Sequence, residues 1–166
     1  MKLQRKLKKS LESKSYTFNT LYFLQIYYME SDAVSWKKIE SISKLLAEKI
    51  KSTGKEFNSI STITRGGLVP ARLMADRLNL HEILVDKNKI PSDSLFVDDI
   101  YDSGDTFKKV LSKVDNPSDL VYATLFARKG KKYPKQLIYA VKTKGNEYIV
   151  YPWDRFEHKR MKKFEK

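Results

Sequence analysis

The sequence predicts an α/β domain built on a largely parallel sheet. Short apolar, β-branched segments of strand length alternate along the chain with segments whose apolar residues recur every three or four positions. Glycine, hydroxyl and acidic residues gather where predicted strands lead into helices, which is where such sheets bind ligands. The 166 residues carry no internal repeat and suit one domain of this kind.

The composition limits the partners and the chemistry. A formal net charge of +13 favours anionic partners, namely nucleotides, nucleic acid or an acidic membrane surface. Much of the excess lies at the two ends, which we interpret as solvated basic segments, so nucleic acid is not an expected partner. The chain has no cysteine, which excludes disulfides, thiolate metal sites and cysteine catalysis. This composition suits a reducing compartment, and we expect a cytoplasmic location.

Residues 1–28 form a basic and aromatic extension, which we separate from a domain at 29–158 and a basic tail at 159–166. The apolar run at 16–29 is interrupted by polar residues, is followed by no small-residue cleavage site, and is too short to span a membrane. Three interpretations remain open: an added helix or strand that packs on the domain, an interfacial anchor, or an extension ahead of a translation start at Met29. A membrane surface is a partner only through this extension.

Periodicity predicts the elements of the domain in order. Helix 34–51 is amphipathic, with apolar residues at Trp36, Ile39, Ile42, Leu46 and Ile50. Further helices are predicted at 71–78 and 107–114, and strands at 60–64, 83–85, 95–97, 120–126 and 136–141. The nine residues 86–94 between two of these strands are too few for a helical crossover.

The stretch 94–107 carries the clearest chemical signal. A short apolar run ends at two adjacent carboxylates, Asp98 and Asp99, and a loop at 102–106 precedes the next helix. Such a loop offers backbone N–H groups, hydroxyls and a helix N-terminus to a phosphate. Acids beside a phosphate site match ribose hydroxyls and a divalent cation.

A second loop, Arg65 to Pro70, follows the strand at 60–64. Its two glycines allow unusual backbone torsions and close approach of a ligand, and Pro70 fits the first turn of a helix. From these residues alone, a ligand-binding loop and a plain strand-to-helix turn both remain open.

Together these motifs resemble a known family. Residues 97–106 resemble the phosphoribosyl-pyrophosphate (PRPP) binding motif of type I phosphoribosyltransferases, which is a hydrophobic strand, two acids and a Thr/Ser-Gly-x-Thr loop. Residues 65–71 resemble the pyrophosphate loop of bacterial and archaeal xanthine-guanine and hypoxanthine phosphoribosyltransferases, and residues 148–154 resemble their carboxy-terminal segment. With Val34-Ser35-Trp36 at the start, the resemblance covers 34–156 in the same order.

The resemblance implies the type I phosphoribosyltransferase fold, a mostly parallel central sheet flanked by helices, with a short carboxy-terminal hood-like segment. It implies purine salvage, in which a 6-oxopurine (xanthine, guanine or hypoxanthine) and PRPP give the nucleoside 5′-monophosphate and pyrophosphate with Mg²⁺. The expected partners are PRPP and a purine base, and the expected assembly is a homodimer or homotetramer. The choice among the three purines stays open.

The resemblance also implies a role for each matched residue. The residues implied to bind PRPP are Arg65, Gly66, Asp98, Asp99, Ser103, Gly104, Asp105 and Thr106. Asp98 and Asp99 would hold the ribose hydroxyls and Mg²⁺. Asp102 would be the catalytic residue, accepting a proton or hydrogen bond from purine N7. The residues implied to bind the purine are Asp102, Arg128, Lys129, Tyr148 and Ile149, whereas Trp153 is expected in the core.

Two departures from the family pattern bear on function. Arg128 stands where the family usually has a lysine for the exocyclic oxygen of the purine, and a planar guanidinium reaches differently from an ammonium. Residues 86–94 replace a longer, flexible hood, so an open site would lose PRPP more readily or take its lid from a partner subunit. A non-catalytic PRPP- or nucleotide-sensing domain of the same fold is therefore the alternative function, and nucleic-acid binding is a third.

Overall fold

A computed structural model describes residues 32–145 and 148–156. We number the elements in chain order. The helices are α1 (Trp36–Lys51), α2 (Leu68–Leu78) and α3 (Asp105–Leu111). The strands are β1 (Asp32–Ala33), β2 (Ser59–Thr62), β3 (Glu82–Val85), β4 (Ser94–Tyr101), β5 (Val121–Ala127), β6 (Leu137–Lys142) and β7 (Ile149–Val150). The extension 1–28 and the tail 159–166 lie outside the described residues.

Five strands form a parallel sheet in the order β3-β2-β4-β5-β6, which confirms the predicted fold class. The chain leaves β2 towards β3 through α2, and it leaves β4 towards β5 through α3. Helices α1 and α2 pack on one face of the sheet, and α3 packs on the other. The direction of winding therefore reverses between β2 and β4, and open parallel sheets bind ligands at such a point.

Helix α1 begins where the sequence can satisfy its first N–H groups. The Ser35 hydroxyl accepts a hydrogen bond from the Lys38 N–H at 3.2 Å, as a helix N-cap does. Four residues of the predicted apolar face are buried, namely Ile39, Ile42, Leu46 and Ile50, whereas the fifth, Trp36, is 55% exposed. Lys49, which lies outside this apolar face, donates from Nζ to the Tyr139 and Ala140 carbonyls at 2.8 and 3.0 Å. It thereby covers backbone acceptors of the edge strand β6.

Three predicted elements have wrong boundaries, and each difference is informative. The strand predicted at 95–97 runs on to Tyr101, so the paired acids lie inside an extended strand rather than beyond its end. The helix predicted at 107–114 is α3, which begins two residues earlier and ends at Leu111. Val114 instead forms a parallel bridge with Ile90. The helix predicted from 71 begins at Leu68.

The connection from β3 to β4 contains no helix, as its length predicts. Both strands pair with β2 and not with each other, so residues 86–93 cross one strand of the sheet. Ile90 holds the middle of this crossing, because its side chain is 2% exposed and its N–H donates to the Lys113 carbonyl. The crossing is thus packed against the α3 face of the domain.

The two ends of the described chain meet in a small parallel sheet, in which Ala33 of β1 lies opposite Val150 of β7. The ring of Trp36 lies 5.7 Å from that of Trp153, which stacks in turn on Tyr151 at 4.7 Å. Trp153 packs against the main core, as the sequence predicts. In the ranges 32–145 and 148–156, no helix is long and apolar enough to cross a membrane.

Adjacent leucines of α1 provide a test of the packing. Leu46 is fully buried, whereas Leu45 is 42% exposed. Leu46→Ala should lower the free energy of unfolding by about 2–5 kcal/mol, because it opens a cavity in the core. Leu45→Ala should change it by no more than about 0.5 kcal/mol. Urea unfolding measures both, and equal losses would contradict the placement of α1.

Candidate active site

A cleft of about 250 Å³ lies where β2 and β4 end, at the point where the winding of the sheet reverses. Its walls come from the loop after β2, the end of β4 and the loop before α3. The predicted site residues that line it are Gly66, Asp98, Asp99, Asp102, Ser103, Gly104 and Thr106. The fold therefore brings together both loops and the paired acids that sequence analysis singled out.

The cleft exists because β4 is longer than β2. The register between them ends at Ser61 opposite Phe96, and the Thr62 hydroxyl donates to the Val97 carbonyl at 2.7 Å. Beyond that point, backbone N–H groups of β4 donate hydrogen bonds to the side-chain carboxylates of β4 itself. Asp98 Oδ1 accepts from the Asp99 N–H at 2.9 Å, and Asp99 Oδ1 accepts from the Ile100 N–H at 2.7 Å.

Asp98 is held by the adjacent strand. Its Oδ2 accepts a hydrogen bond from the Tyr122 hydroxyl of β5 at 2.9 Å, and Asp98 is only 5% exposed. Burial raises the pKa of Asp98, although the Asp99 N–H and the Tyr122 hydroxyl oppose the shift by donating to the carboxylate. Burial and the nearby Asp98 charge also raise the pKa of Tyr122, so that its hydroxyl stays a donor.

Asp99 lies against the loop that follows β2. A Cβ atom on Gly66 would come within 2.8 Å of Asp99 Oδ2, so only glycine fits this position without displacing the carboxylate. Burial and the charge of Asp98 raise the pKa of Asp99 to about 8, and Asp154 adds a smaller effect in the same direction. The two adjacent carboxylates thus form a site whose charge is costly until a cation approaches.

The loop at 102–106 turns through a left-handed residue. Gly104 has a φ of 87°, and a Cβ there would lie 2.7 Å from the Tyr101 hydroxyl. Ser103 donates its hydroxyl to Asp105 Oδ2 at 2.7 Å and accepts the Asp105 N–H at 3.3 Å. These contacts hold a compact loop whose Ser103 and Thr106 hydroxyls lie at the cleft.

Asp102 and Arg128, both predicted to meet the purine, contact each other. Arg128 donates from Nε and Nη2 to the two oxygens of Asp102 at 3.1 and 2.8 Å, and from Nη1 to the Gly145 carbonyl at 3.4 Å. The Arg128 side chain is 8% exposed and that of Asp102 is 50% exposed. The buried guanidinium of Arg128 therefore fixes the position of the Asp102 carboxylate, which lines the cleft.

Six predicted site residues are not among those that line the cleft: Arg65, Asp105, Arg128, Lys129, Tyr148 and Ile149. Arg65, Asp105 and Lys129 are exposed, and Tyr148 is 56% exposed. Ile149 is buried in β7. Their roles toward PRPP and purine remain predictions.

Sequence reasoning missed two residues that hold the site. Tyr122 supports Asp98, and Asp86 accepts hydrogen bonds from Thr64 at the start of the glycine loop. Tyr122 reads as an ordinary strand aromatic and Asp86 as an ordinary loop acid. Only the pairing of neighbouring strands shows what they contact.

The carboxylates of the cleft could bind Mg²⁺ together with the phosphates of a ligand, but they are too few to bind it alone. Among the described residues, no group of three or more His, Cys, Asp or Glu side chains is placed to hold a metal. Both oxygens of Asp98 accept hydrogen bonds from the protein, which makes Asp99 the better ligand. Mg²⁺ commonly binds through one or two carboxylates and substrate phosphates, and the pair Asp98 and Asp99 is consistent with such coordination.

The chain is similar to curated xanthine-guanine phosphoribosyltransferases. It is 26% identical to that of Desulfotalea psychrophila, over 76% of this chain and 88% of the relative. It is 28% identical to that of Chromohalobacter salexigens, over 76% of this chain and 86% of the relative. No family model matches the chain.

Solved structures show the same fold. A Helicobacter pylori xanthine-guanine-hypoxanthine phosphoribosyltransferase aligns with a TM-score of 0.64 and 20% identity, over 79% of this chain and 97% of its own. A purine phosphoribosyltransferase from Pyrococcus horikoshii aligns with a TM-score of 0.58 and 21% identity, over 73% and 91%. The predicted type I phosphoribosyltransferase fold and the resemblance on which it rests are confirmed.

The raised pKa of Asp99 predicts how stability changes with pH. Between the usual Asp pKa of 3.8 and about 8, the folded chain binds more protons than the unfolded chain, so stability falls as pH rises through this range. In chelator-containing buffer, the stability gain of Asp99→Asn over the wild type should therefore be small near about pH 4 and reach its full value near about pH 9, growing by about 1.4 kcal/mol for each pH unit between the two pKa values. Urea unfolding at both pH values measures this.

The control for this measurement is Glu56→Gln, which neutralises an exposed carboxylate away from the cleft. It should follow the wild type at both pH values. Asp99→Asn showing no gain at the higher pH would contradict the buried, charge-coupled state of Asp99.

Proposed function

We propose that the chain is a purine phosphoribosyltransferase that converts a 6-oxopurine (xanthine, guanine or hypoxanthine) and PRPP into the nucleoside 5′-monophosphate and pyrophosphate. The observation that carries this proposal is the cleft at the reversal point of the sheet, which joins two acids, a hydroxyl-rich loop and a glycine loop. The similarity to named phosphoribosyltransferases supports the same activity.

In this reaction a purine nitrogen forms a bond to C1 of the ribose as the bond from C1 to the pyrophosphate oxygen breaks. The electron pair leaves with pyrophosphate, and positive charge develops on the sugar ring. Asp98 and Asp99 place two buried carboxylates in the cleft, where the positive ring would relieve their repulsion. Because this relief is greatest when the ring is most positive, it favours the transition state.

The loop at 102–106 is suited to the 5-phosphate of the ribose. Gly104 lets the backbone of the loop approach a ligand closely, and the Thr106 hydroxyl is an additional donor, while the Ser103 hydroxyl holds the loop through Asp105. Gly66 allows the loop after β2 to approach Asp99, so pyrophosphate and ribose can be held side by side. Arg65 and Asp105 complete the proposed PRPP-binding set.

Mg²⁺, held by Asp99 with a smaller contribution from Asp98, would neutralise the leaving pyrophosphate when bound. Carboxylate oxygens of Asp99 and Asp98 would be the protein's contribution, and phosphates and water would supply the remaining oxygen ligands. The acids thus serve both the metal and the sugar hydroxyls.

The Asp102 and Arg128 pair is suited to the N7 and O6 edge of a 6-oxopurine. Asp102 accepts from N7–H and thereby increases electron density at the nitrogen that attacks C1. Arg128 holds the Asp102 carboxylate with two hydrogen bonds, and its place in the proposed purine site comes from the family resemblance. Lys129, Tyr148 and Ile149 belong to the proposed purine site through the family resemblance.

The proposal includes a cytoplasmic location and a homo-oligomer of two or four copies. Residues 86–93 pack against the domain, so this chain supplies no long lid from that connection. A partner subunit that covers the cleft would exclude water from it.

A purine panel tests the proposed activity. The full chain with PRPP and Mg²⁺ should form nucleotide from xanthine, guanine or hypoxanthine, as followed by chromatography. A chain that binds PRPP but forms no nucleotide from any base would favour the sensing domain. A chain that binds DNA or RNA instead, with an affinity that falls steeply with salt, would favour the third hypothesis.

Asp102→Asn tests the catalytic assignment. Loss of the acceptor should lower kcat by about 100-fold or more while changing the KM for PRPP much less. Asp98→Asn combined with Asp99→Asn should raise the KM for PRPP as well. Asp115→Asn, which removes an exposed carboxylate paired with Lys89, should leave both constants unchanged. Full activity of Asp102→Asn with all three bases would contradict the assignment.

Arg128→Lys tests the paired hydrogen bonds between Arg128 and Asp102. Lysine cannot donate two parallel hydrogen bonds to Asp102, so the purine edge should be held less well. We expect the KM for purine to rise roughly tenfold, which corresponds to the loss of one hydrogen bond, while the KM for PRPP stays nearly constant. Lys131→Arg on the exposed turn is the matched control. A parallel rise in both KM values would show that Arg128 acts on the whole site.

A further inference from the structure

Asp86 is the first residue after β3, and the chain turns sharply at this point. Its N–H donates to the Thr62 carbonyl at 3.0 Å, which continues the pairing of β3 with β2 for one more residue. Its φ of 53° is left-handed, a conformation that Asp and Asn adopt more readily than most residues. The turn directs the side chain back across the end of β2.

The Asp86 carboxylate holds Thr64 with both oxygens. Oδ1 accepts the Thr64 N–H at 2.9 Å, and Oδ2 accepts the Thr64 hydroxyl at 2.8 Å. These two donors lower the pKa of Asp86, with the backbone N–H having the larger effect, so the carboxylate is ionised at neutral pH. Thr64 itself lines the cleft.

Thr64 begins the glycine loop, Thr64 to Gly67, which is confined on its other side by β4. A Cβ on Gly67 would lie 2.9 Å from the Val97 carbonyl, and Gly66 packs against Asp99. The Leu68 N–H closes the loop by donating to the Arg65 carbonyl at 3.3 Å. The glycine loop is therefore held on two sides, by Asp86 on the side of β3 and by the backbone and side chains of β4 on the other side.

We propose that Asp86 is a positioning residue for pyrophosphate, because it holds the glycine loop in its ligand-binding shape before PRPP arrives. This inference rests on the proposed function, in which the loop receives the pyrophosphate group of PRPP. Preorganisation of this kind improves binding by reducing the ordering that the ligand must cause. It acts on pyrophosphate-bearing ligands and not on the purine or the 5-phosphate.

The position of Asp86 also gives a role to the short 86–93 connection. Its first residue clamps Thr64, its middle residue Ile90 is buried, and near its end Asp93 Oδ2 accepts from Asn58 Nδ2 at 2.6 Å. A connection anchored at three points holds the pyrophosphate loop from a fixed base.

Asp86→Gly is the sharpest variant, because glycine keeps the left-handed turn without strain and removes only the carboxylate. Isothermal titration calorimetry with Mg²⁺ present should show the Kd for PRPP and for pyrophosphate rising roughly tenfold, the loss expected for one or two hydrogen bonds. The Kd for the 5′-monophosphates of guanosine, xanthosine and inosine should stay within about twofold. A merely structural defect would weaken all of these ligands together.

Two further variants complete the test. Asp86→Asn should restore most of the PRPP affinity, since its amide can accept the Thr64 N–H and donate to the Thr64 hydroxyl in a residue that tolerates the left-handed turn. Asp115→Gly makes the same change at an exposed carboxylate outside the connection and the cleft, and it should leave every Kd unchanged.

Different results overturn different claims. A wild-type chain that binds neither PRPP nor any of the monophosphates overturns the proposed function and this inference with it. A wild-type chain that binds PRPP, with Asp86→Gly equally tight or with all ligands weakened alike, overturns the role of Asp86 and leaves the proposed function standing.

Discussion

The unequal length of two neighbouring strands is the constraint on which the site depends. Strand β4 continues past the last residue of β2, and its next N–H groups turn to the carboxylates of Asp98 and Asp99. A buried backbone donor needs a partner, and here the partner is an acid that a ligand can also use. The space left by the missing stretch of β2 is the cleft itself. Strand length, backbone pairing and the location of the acids are therefore one feature of the fold.

The acids are held at an electrostatic cost to the folded chain. Burial raises the pKa of Asp98, and burial together with the charge of Asp98 raises the pKa of Asp99, while the Tyr122 hydroxyl and backbone N–H groups offset only part of these shifts. A cationic ligand removes this cost at the moment it binds, which is how a site can be destabilising when empty and useful when filled. Gly66 allows the loop after β2 to pack directly against the Asp99 carboxylate, because a side chain at position 66 would collide with it.

Both sides of the proposed substrate meet groups already fixed by the protein. On the purine side, Arg128 is buried and holds Asp102 through two hydrogen bonds. On the pyrophosphate side, Asp86 holds Thr64 at the start of the glycine loop. The short 86–93 connection beside this loop is anchored through Asp86 and the buried Ile90, which suits a site formed in advance.

The sequence by itself determined the class of fold, the order of the elements and the identity of the paired acids and both loops. Those properties depend on local periodicity and short motifs, such as the apolar face of α1 and the run from Val97 to Thr106. Only the tertiary structure decided where β4 ends and which partners the acids have. Those contacts join residues 22 to 26 positions apart on different strands and loops, namely Thr64 with Asp86, Asp98 with Tyr122, and Asp102 with Arg128. They follow from the way neighbouring strands pair, which brings together residues that are far apart in the sequence.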